Sequence, residues 1–286
     1  MTIRQIGIVA KDSSHVAKEL AFGLAHWLRQ RGVKPILDRS LAASTSEVTS
    51  LPIDQLCQQV DLVIVIGGDG TLLRVCRHIT QGATAVLGIN AGNLGFLAEI
   101  QIEDTYAVMP RLLAGELPYK DRVKLCSQVC RGAERVANYV ALNDAVITKG
   151  ALSRMVELDI AIDRQRVTHL KADGVVVSTP TGSTAYSLAA GGPILYPSLR
   201  SFVMTPICPN TLTLRPIVVP DHVQIEITLQ SRDSDVVQTM DGQVGFSIQH
   251  GDRILISRAE HPVRIYGSPT RDYFSVLRSK LRWGEP

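Results

Sequence analysis

Asp69 stands among glycines. The run Ile66-Gly67-Gly68-Asp69-Gly70-Thr71 sets one carboxylate in a turn with few side chains of its own. Glycines there let backbone N–H groups approach a phosphate. A helix opening behind the turn adds free donors and partial positive charge. A carboxylate would repel a phosphate directly, so Asp69 suits a hydroxyl or a metal-bound phosphate, which makes it a candidate catalyst. The plain alternative is that Asp69 caps the helix, and the turn alone does not choose between the two. Arg74 falls one turn into that helix, where it meets either a phosphate or solvent. The chain has no G-x-x-x-x-G-K-[ST], which excludes a P-loop. It also has no clean G-x-G-x-x-G, so the standard dinucleotide fingerprint is not supported.

A second set of polar residues runs from Asp173 to Ser187 (DGVVVSTPTGSTAYS). It reads as a strand, a turn dense in hydroxyls and a short helix that Gly191-Gly192-Pro193 stops. Hydroxyls and N–H groups converging on one helix start suit a polar ligand with phosphates, such as a dinucleotide. Tyr186 is placed to stack on a base or line its pocket. The bland reading is a well-capped turn in a β domain. A nucleophilic serine is not indicated, because there is no G-x-S-x-G and no His partner. Asn143-Asp144 puts an amide beside a carboxylate, a pair able to clamp ribose hydroxyls, although by itself it reads as an ordinary turn. Asp241-Gly242 is a strong hairpin-turn signal, so Gln243 gains interest only from the other motifs. Asp233-Ser234-Asp235 resembles a metal-binding D-x-D, but its place between strands reads as a solvated loop. Arg164, Arg166, His169 and Lys171 read as a strand's exposed basic face, though an anionic substrate needs some local positive charge.

Two kinds of element must position these residues. Up to about residue 117 strand and helix signals alternate. Ile6 to Ala10 is a short apolar strand. A helix follows, with Ser13 or Ser14 as its cap and Val16, Leu20, Leu24 and Leu28 as its apolar stripe. Gly32 ends it, and Pro35 to Leu37 starts another strand. Asp61 to Ile66 is a nearly continuous β-branched run, as in a parallel sheet covered on both faces. A helix from about Thr71 to Ile79 and a strand from Ala85 to Ile89 complete a βαβα rhythm. Near Pro118 the pattern changes to period-2 alternation. Val156, Leu158, Ile160 and Ile162, and then Val223, Ile225, Ile227 and Leu229, bury one face only, as in antiparallel sheets. The last stretch, about Arg271 to Trp283, reads as amphipathic, with Phe274, Leu277 and Leu281 at helical spacing. The expected division is residues 1–117, 118–262, and a segment 263–286 that packs back on the first domain.

The 286 residues are 45% hydrophobic, enough for one large core or two ordinary ones. A net charge of +3 lacks the basic surplus of a nucleic-acid binder. No apolar run is long enough to span a bilayer, and the N-terminus has no apolar h-region, so the expectation is cytoplasmic. Five scattered cysteines fit reduced thiols. Cys126 and Cys130 lack the further ligands of a metal site, and no protein metal-ligand set is indicated elsewhere.

Taken together, the motifs resemble the NAD kinase family. The resemblance rests on Gly67 to Thr71, the Asn90 to Phe96 segment, Asn143-Asp144, the Asp173 to Ser187 run and Asp241-Gly242-Gln243. It covers about residues 60 to 250. GGDG alone is shared with phosphofructokinases and with diacylglycerol and sphingosine kinases, whereas TPTGSTAY is far more specific. The resemblance implies an α/β N-terminal domain with a parallel sheet and a β-rich, sandwich-like C-terminal domain. It also implies an active site between them and across subunits of a homo-oligomer, a dimer or tetramer. NAD and ATP would be the substrates, with a divalent cation such as Mg2+. Asp69 would be the proton acceptor. Asp69, Gly70, Phe96, Asn143, Asp144, Asp173, Thr181, Ser183, Thr184, Ala185, Tyr186, Ser187, Leu188, Ala189 and Gln243 would contact NAD, with Arg154 and Lys171 matching more loosely. Gly67, Gly68, Gly70 and Arg74 would meet phosphates. The family commonly has Asn-Glu where this chain has Asn143-Asp144, which keeps the charge on a side chain one methylene shorter. The rival expectations are a lipid or sugar kinase sharing GGDG, and a non-catalytic dinucleotide sensor.

Overall fold

The computed structural model describes residues 3–44, 48–81, 84–92, 95–150, 154–232 and 235–282. The chain forms two compact units, one of residues 1–121 with 263–286 and one of residues 122–262.

The first unit begins with β1 (Gln5–Ala10) and α1 (His15–Arg29). Ser14 caps α1, its hydroxyl accepting the Ala17 N–H at 3.2 Å. The buried stripe of α1 is Ala17, Leu20, Ala21, Leu24, Ala25 and Leu28. Val16, expected on that stripe, is 53% exposed, because three alanines rather than the valine face inward. There follow β2 (Lys34–Asp38), β3 (Ser50–Leu51), α2 (Ile53–Gln59), β4 (Leu62–Gly67), α3 (Asp69–His78), β5 (Ala85–Asn90), β6 (Ile100–Gln101), α4 (Thr105–Leu113) and β7 (Tyr119–Arg122). Every residue of β4 is buried, which is why its sequence shows no alternation.

The second unit is built of β8 (Leu125–Arg131), β9 (Glu134–Ala141), β10 (Asp144–Lys149), β11 (Val156–Ile162), β12 (Gln165–Ala172), β13 (Gly174–Ser178), α5 (Tyr186–Ala189), β14 (Ser201–Ile207), β15 (Ile217–Pro220), β16 (Ile225–Leu229), β17 (Val236–Met240), β18 (Val244–Ile248) and β19 (Arg253–Arg258). One sheet runs β15-β14-β13-β10-β17-β18, the other β12-β11-β16-β19-β8-β9, and both are antiparallel. Their inward residues form one core, with Ile147, Val175, Val177 and Phe202 from one sheet and Leu158, Ile160, Ile227 and Ile254 from the other. The alternation in β11 and β16 is the mark of that half-burial.

The chain then returns to the first unit as β20 (Val263–Tyr266) and α6 (Tyr273–Leu281). β20 pairs with β5 in the parallel sheet, whose order is β3-β2-β1-β4-β5-β20-β7 with β6 also on β5. In α6 the buried residues are Val276 and Leu277. Phe274 and Leu281, expected beside Leu277 on an apolar face, are exposed, so the inward strip of this short helix is narrower than its spacing suggested.

Strand order fixes where the first unit can bind. β1 pairs with β2 on one side and β4 on the other. The order therefore reverses at β1, and open α/β sheets bind ligands at the carboxyl ends of strands beside such a reversal. The Gly67-Gly68-Asp69 turn leaves the carboxyl end of β4 there, and Lys11 at the end of β1 donates its N–H to Ile66 O at 2.8 Å.

Candidate active site

The first unit resolves the question left open by the turn. Gly68 occupies the cap position of α3 with extended backbone and no side-chain cap bond, and Asp69 is the first helical residue. Asp69 is therefore not the cap. Its half-buried carboxylate turns to a distant segment instead. Oδ2 accepts the Phe96 N–H at 2.8 Å, and Oδ1 accepts the Leu97 and Ala98 N–H groups at 3.1 Å each. A carboxylate has about four acceptor positions. Among the described residues, two bonds fill those of Oδ1 and one bond leaves a position open on Oδ2. Gly95 permits this approach, since a Cβ there would collide with the Asp69 carboxylate. Gly67 is held likewise, because a Cβ would come within 2.6 Å of Thr71 Oγ1. Gly70 is exposed. Arg74 turns toward Asp38 at the end of β2, with Nη2 3.7 Å from Oδ2. Asn90 is buried and takes the Gly92 N–H at 2.8 Å. Asn93 and Leu94, in the same segment, lie outside the described residues.

In the second unit the predicted pair Asn143-Asp144 is tied to the 178–182 turn and to Asp241 through one stretch of backbone, Leu142 to Asp144, at the start of β10. Asn143 O accepts Thr179 N–H at 2.8 Å and Ser178 Oγ at 3.1 Å, and Leu142 O accepts Thr179 Oγ1 at 2.5 Å. Thr179 Oγ1 in turn accepts Gly182 N–H at 3.2 Å. A Cβ on Gly182 would overlap the Asn143 backbone. On the other side Asp241 accepts the Leu142, Asn143 and Asp144 N–H groups at 2.7 to 3.2 Å. Asn143 Oδ1 is buried without a hydrogen-bond partner among the described residues, a deficit that a ligand donor would relieve. Asp144 is buried, and burial first, then the charge of Asp241, push its carboxyl up to about 7. Gln243 is exposed at the hairpin corner between β17 and β18.

The hydroxyl-rich turn serves the fold more than its sequence suggests. Ser183 Oγ donates to Pro180 O and accepts Leu195 N–H, and Ser187 Oγ bonds Thr205 Oγ1 at 2.9 Å, all fully buried. Thr181 is also buried. Thr184, Ala185, Leu188 and Ala189 keep partial or full exposure, and Tyr186 is 45% exposed. Asp173 pairs with Lys149 at 3.5 Å. Lys171 stands on β12, in the other sheet, with its amine on Glu157 at 2.7 Å. His169 bonds Asp159 at 2.8 Å, so two of the four residues of this basic stretch, His169 and Lys171, have acidic partners. Arg154 is exposed outside the strands. Of the Asp233-to-Asp235 loop, residues 233 and 234 lie outside the described residues.

Sequence reasoning passed over two contributors here, Thr179 as a side-chain tie and Asp241 as a brace. The available signal was an Asp rather than an Asn before the hairpin Gly.

Comparison with known proteins follows the same division. Residues 6–117 match the family model described as the ATP-NAD kinase N-terminal domain, and residues 142–268 match the ATP-NAD kinase C-terminal domain. The NAD kinase of Geotalea daltonii is 45% identical over 99% of this chain and 100% of its own length. That of Solibacter usitatus is 41% identical over 99% of each. Among solved structures, yeast NADH kinase complexed with NADH superposes with a TM-score of 0.93 at 25% identity, over 100% of this chain and 89% of that one. An Archaeoglobus fulgidus NAD kinase in complex with ATP shares the fold at a TM-score of 0.77 and 24% identity, over 97% and 98%. By its sequence over both halves and by its fold, the chain belongs to the ATP-NAD kinase family.

Proposed function

We propose that this chain transfers the γ-phosphoryl group of ATP to the 2′-hydroxyl of the adenosine ribose of NAD, giving NADP and ADP. The observation that carries the reading is the state of Asp69. It is held by three backbone N–H groups and, among the described residues, keeps one acceptor position on Oδ2. In the reaction the O2′–Pγ bond forms, the bond from Pγ to the β,γ-bridging oxygen breaks, and the O2′ proton passes to Asp69 Oδ2. A carboxylate is too weak a base to deprotonate an alcohol in the ground state. It need not do so, because the phosphoryl-transfer transition state is loose and the proton moves late.

The remaining roles follow from chemistry and placement. Gly67, Gly68 and Gly70 offer backbone to phosphates, and Arg74 offers charge. Asn143 and Asp144, with Asp173, Thr184 and Gln243, hold the nucleoside, and Phe96, Ala185 and Tyr186 supply flat or apolar surface. Thr181, Ser183 and Ser187 shape the turn, with Leu188 and Ala189 behind it. Arg154 and Lys171 are the looser matches for NAD contacts, Arg154 being exposed and Lys171 paired with Glu157. NAD and NADH share the adenosine end, so this set serves either.

Among the described residues no group of three or more His, Cys, Asp or Glu is arranged to hold a metal. A magnesium ion would thus be held chiefly by the ATP phosphates, the usual arrangement for this ion, where it neutralises charge on the phosphates. We further propose a cytoplasmic homo-oligomer, dimer or tetramer. The five cysteines are free thiols, and no described helix is long and apolar enough to cross a membrane.

Incubation with ATP, magnesium and NAD tests the reading, with NADP detected by an NADP-specific dehydrogenase. NADP formation supports it. Phosphorylation of a lipid or sugar in place of NAD would overturn it.

A further inference from the structure

Asp241 holds the backbone that carries Asn143 and Asp144 without itself being assigned to the ligand. Its residue type is the informative point. The backbone at Asp241 and Gly242 is left-handed, with φ of 51° and 61°. Asn or Gly would meet that demand as well as Asp does, so the turn alone does not ask for a carboxylate. Three successive N–H groups do. Oδ1 accepts from Asn143 at 2.7 Å and Asp144 at 3.2 Å, and Oδ2 accepts from Leu142 at 3.1 Å. An Asn side chain would turn an NH2 toward one of these donors.

The opposite edge of the same backbone is tied as well, through the Leu142 and Asn143 carbonyls to Thr179 and Ser178. Asp241 N–H closes the ring onto Asp144 O at 3.0 Å. The arrangement also sets two buried carboxylates, Asp144 and Asp241, near each other.

We propose that Asp241 is a positioning residue for the dinucleotide: it clamps the Leu142–Asp144 backbone and thereby fixes the two side chains, Asn143 and Asp144, that meet the nucleoside. The proposal rests on the NAD-binding reading of that pair. Asp241→Asn and Asp241→Gly both keep the left-handed corner and remove the clamp. Steady-state kinetics and calorimetric NAD binding, on variants checked for folding by circular dichroism, should show KM and Kd for NAD raised about tenfold or more. At saturating NAD kcat should fall much less, and KM for ATP should stay near wild type. Wild-type NAD affinity in either folded variant overturns the proposal.

A second measurement covers variants that fail to fold. In the wild-type protein without ligand, amide hydrogen exchange at Leu142, Asn143 and Asp144 should be strongly slowed, and exchange at unprotected rates there overturns the clamp. The wild-type control separates the two readings. If wild-type protein neither binds nor phosphorylates NAD, the functional reading fails. If it does both and the variants match it, only the clamp fails.

Discussion

Two aspartates, one in each unit, make the same bond pattern and are assigned different work. Asp69 takes the N–H groups of Phe96, Leu97 and Ala98, and Asp241 takes those of Leu142, Asn143 and Asp144. Both are charge-assisted braces that pin a loop to a turn. They differ in setting. Asp69 opens a helix behind a glycine turn and is half-buried, whereas Asp241 sits at a hairpin corner and is 9% exposed. A braced carboxylate is rigid in either place, but it can serve as a proton acceptor only where an acceptor position also reaches the ligand. On this account Asp69 is both brace and base, and Asp241 is brace alone.

The sharpest way to break that contrast is Asp69→Asn. Turnover should fall about 10²- to 10⁴-fold, the usual range for a lost general base, and, although the Asn NH2 also loosens the brace on residues 96–98, NAD affinity should fall much less than turnover by calorimetry. A loss that appeared instead in NAD affinity would make Asp69 a second Asp241.

The next effect comes from the neighbour of the buried brace. Asp144 in the folded protein titrates near 7, above the ordinary value of about 3.9. Between those values the folded state binds more protons than the unfolded one, so this group lowers stability as pH rises from about 4 to about 7. Its cost is absent below that window and fully present above it, up to about 4 kcal/mol. Asp144→Asn should therefore raise the melting temperature at pH 8 and leave it nearly unchanged at pH 4. An equal gain at both pH values would mean that Asp144 does not titrate in this window.

Glycine substitutions probe each brace from its loop side. Gly95→Ala drives a Cβ into the Asp69 carboxylate, and Gly182→Ala drives one into the Asn143 backbone. Each should cost about 1–3 kcal/mol of stability, measured by urea denaturation. The kinetic signatures should diverge, with Gly95→Ala lowering kcat and Gly182→Ala raising the KM for NAD. The smallest effect is expected from Thr179→Val, which removes the hydroxyl ties to Leu142 O and to the Gly182 N–H and should cost about 1–2 kcal/mol, read as a modest fall in melting temperature.

Much of the fold was legible because burial writes itself into residue order. The continuous apolar run of β4 and the alternation of β11 and β16 record two-sided and one-sided burial. Where the signal is weak, residue order misleads: the alanines of α1 carry little hydrophobic contrast, so the spacing points Val16 inward although it is exposed. The braces were less legible still. The residues that each aspartate holds lie 27 to 29 and 97 to 99 positions away. They also donate backbone N–H groups, which every residue except proline carries, so the donor side leaves no trace in residue type. The hydroxyls of residues 178–187 were visible as a cluster, but their direction was not. Ser183 and Ser187 point into the fold, a fact set by the path of a turn that composition does not specify.

The central claim is that Asp69 takes the proton from the hydroxyl that is phosphorylated. It is tested most directly by NADP formation from NAD, ATP and magnesium with wild-type protein and Asp69→Asn side by side. The account predicts NADP from the wild type and almost none from the variant at saturating NAD. Wild-type turnover by a correctly folded Asp69→Asn would contradict it.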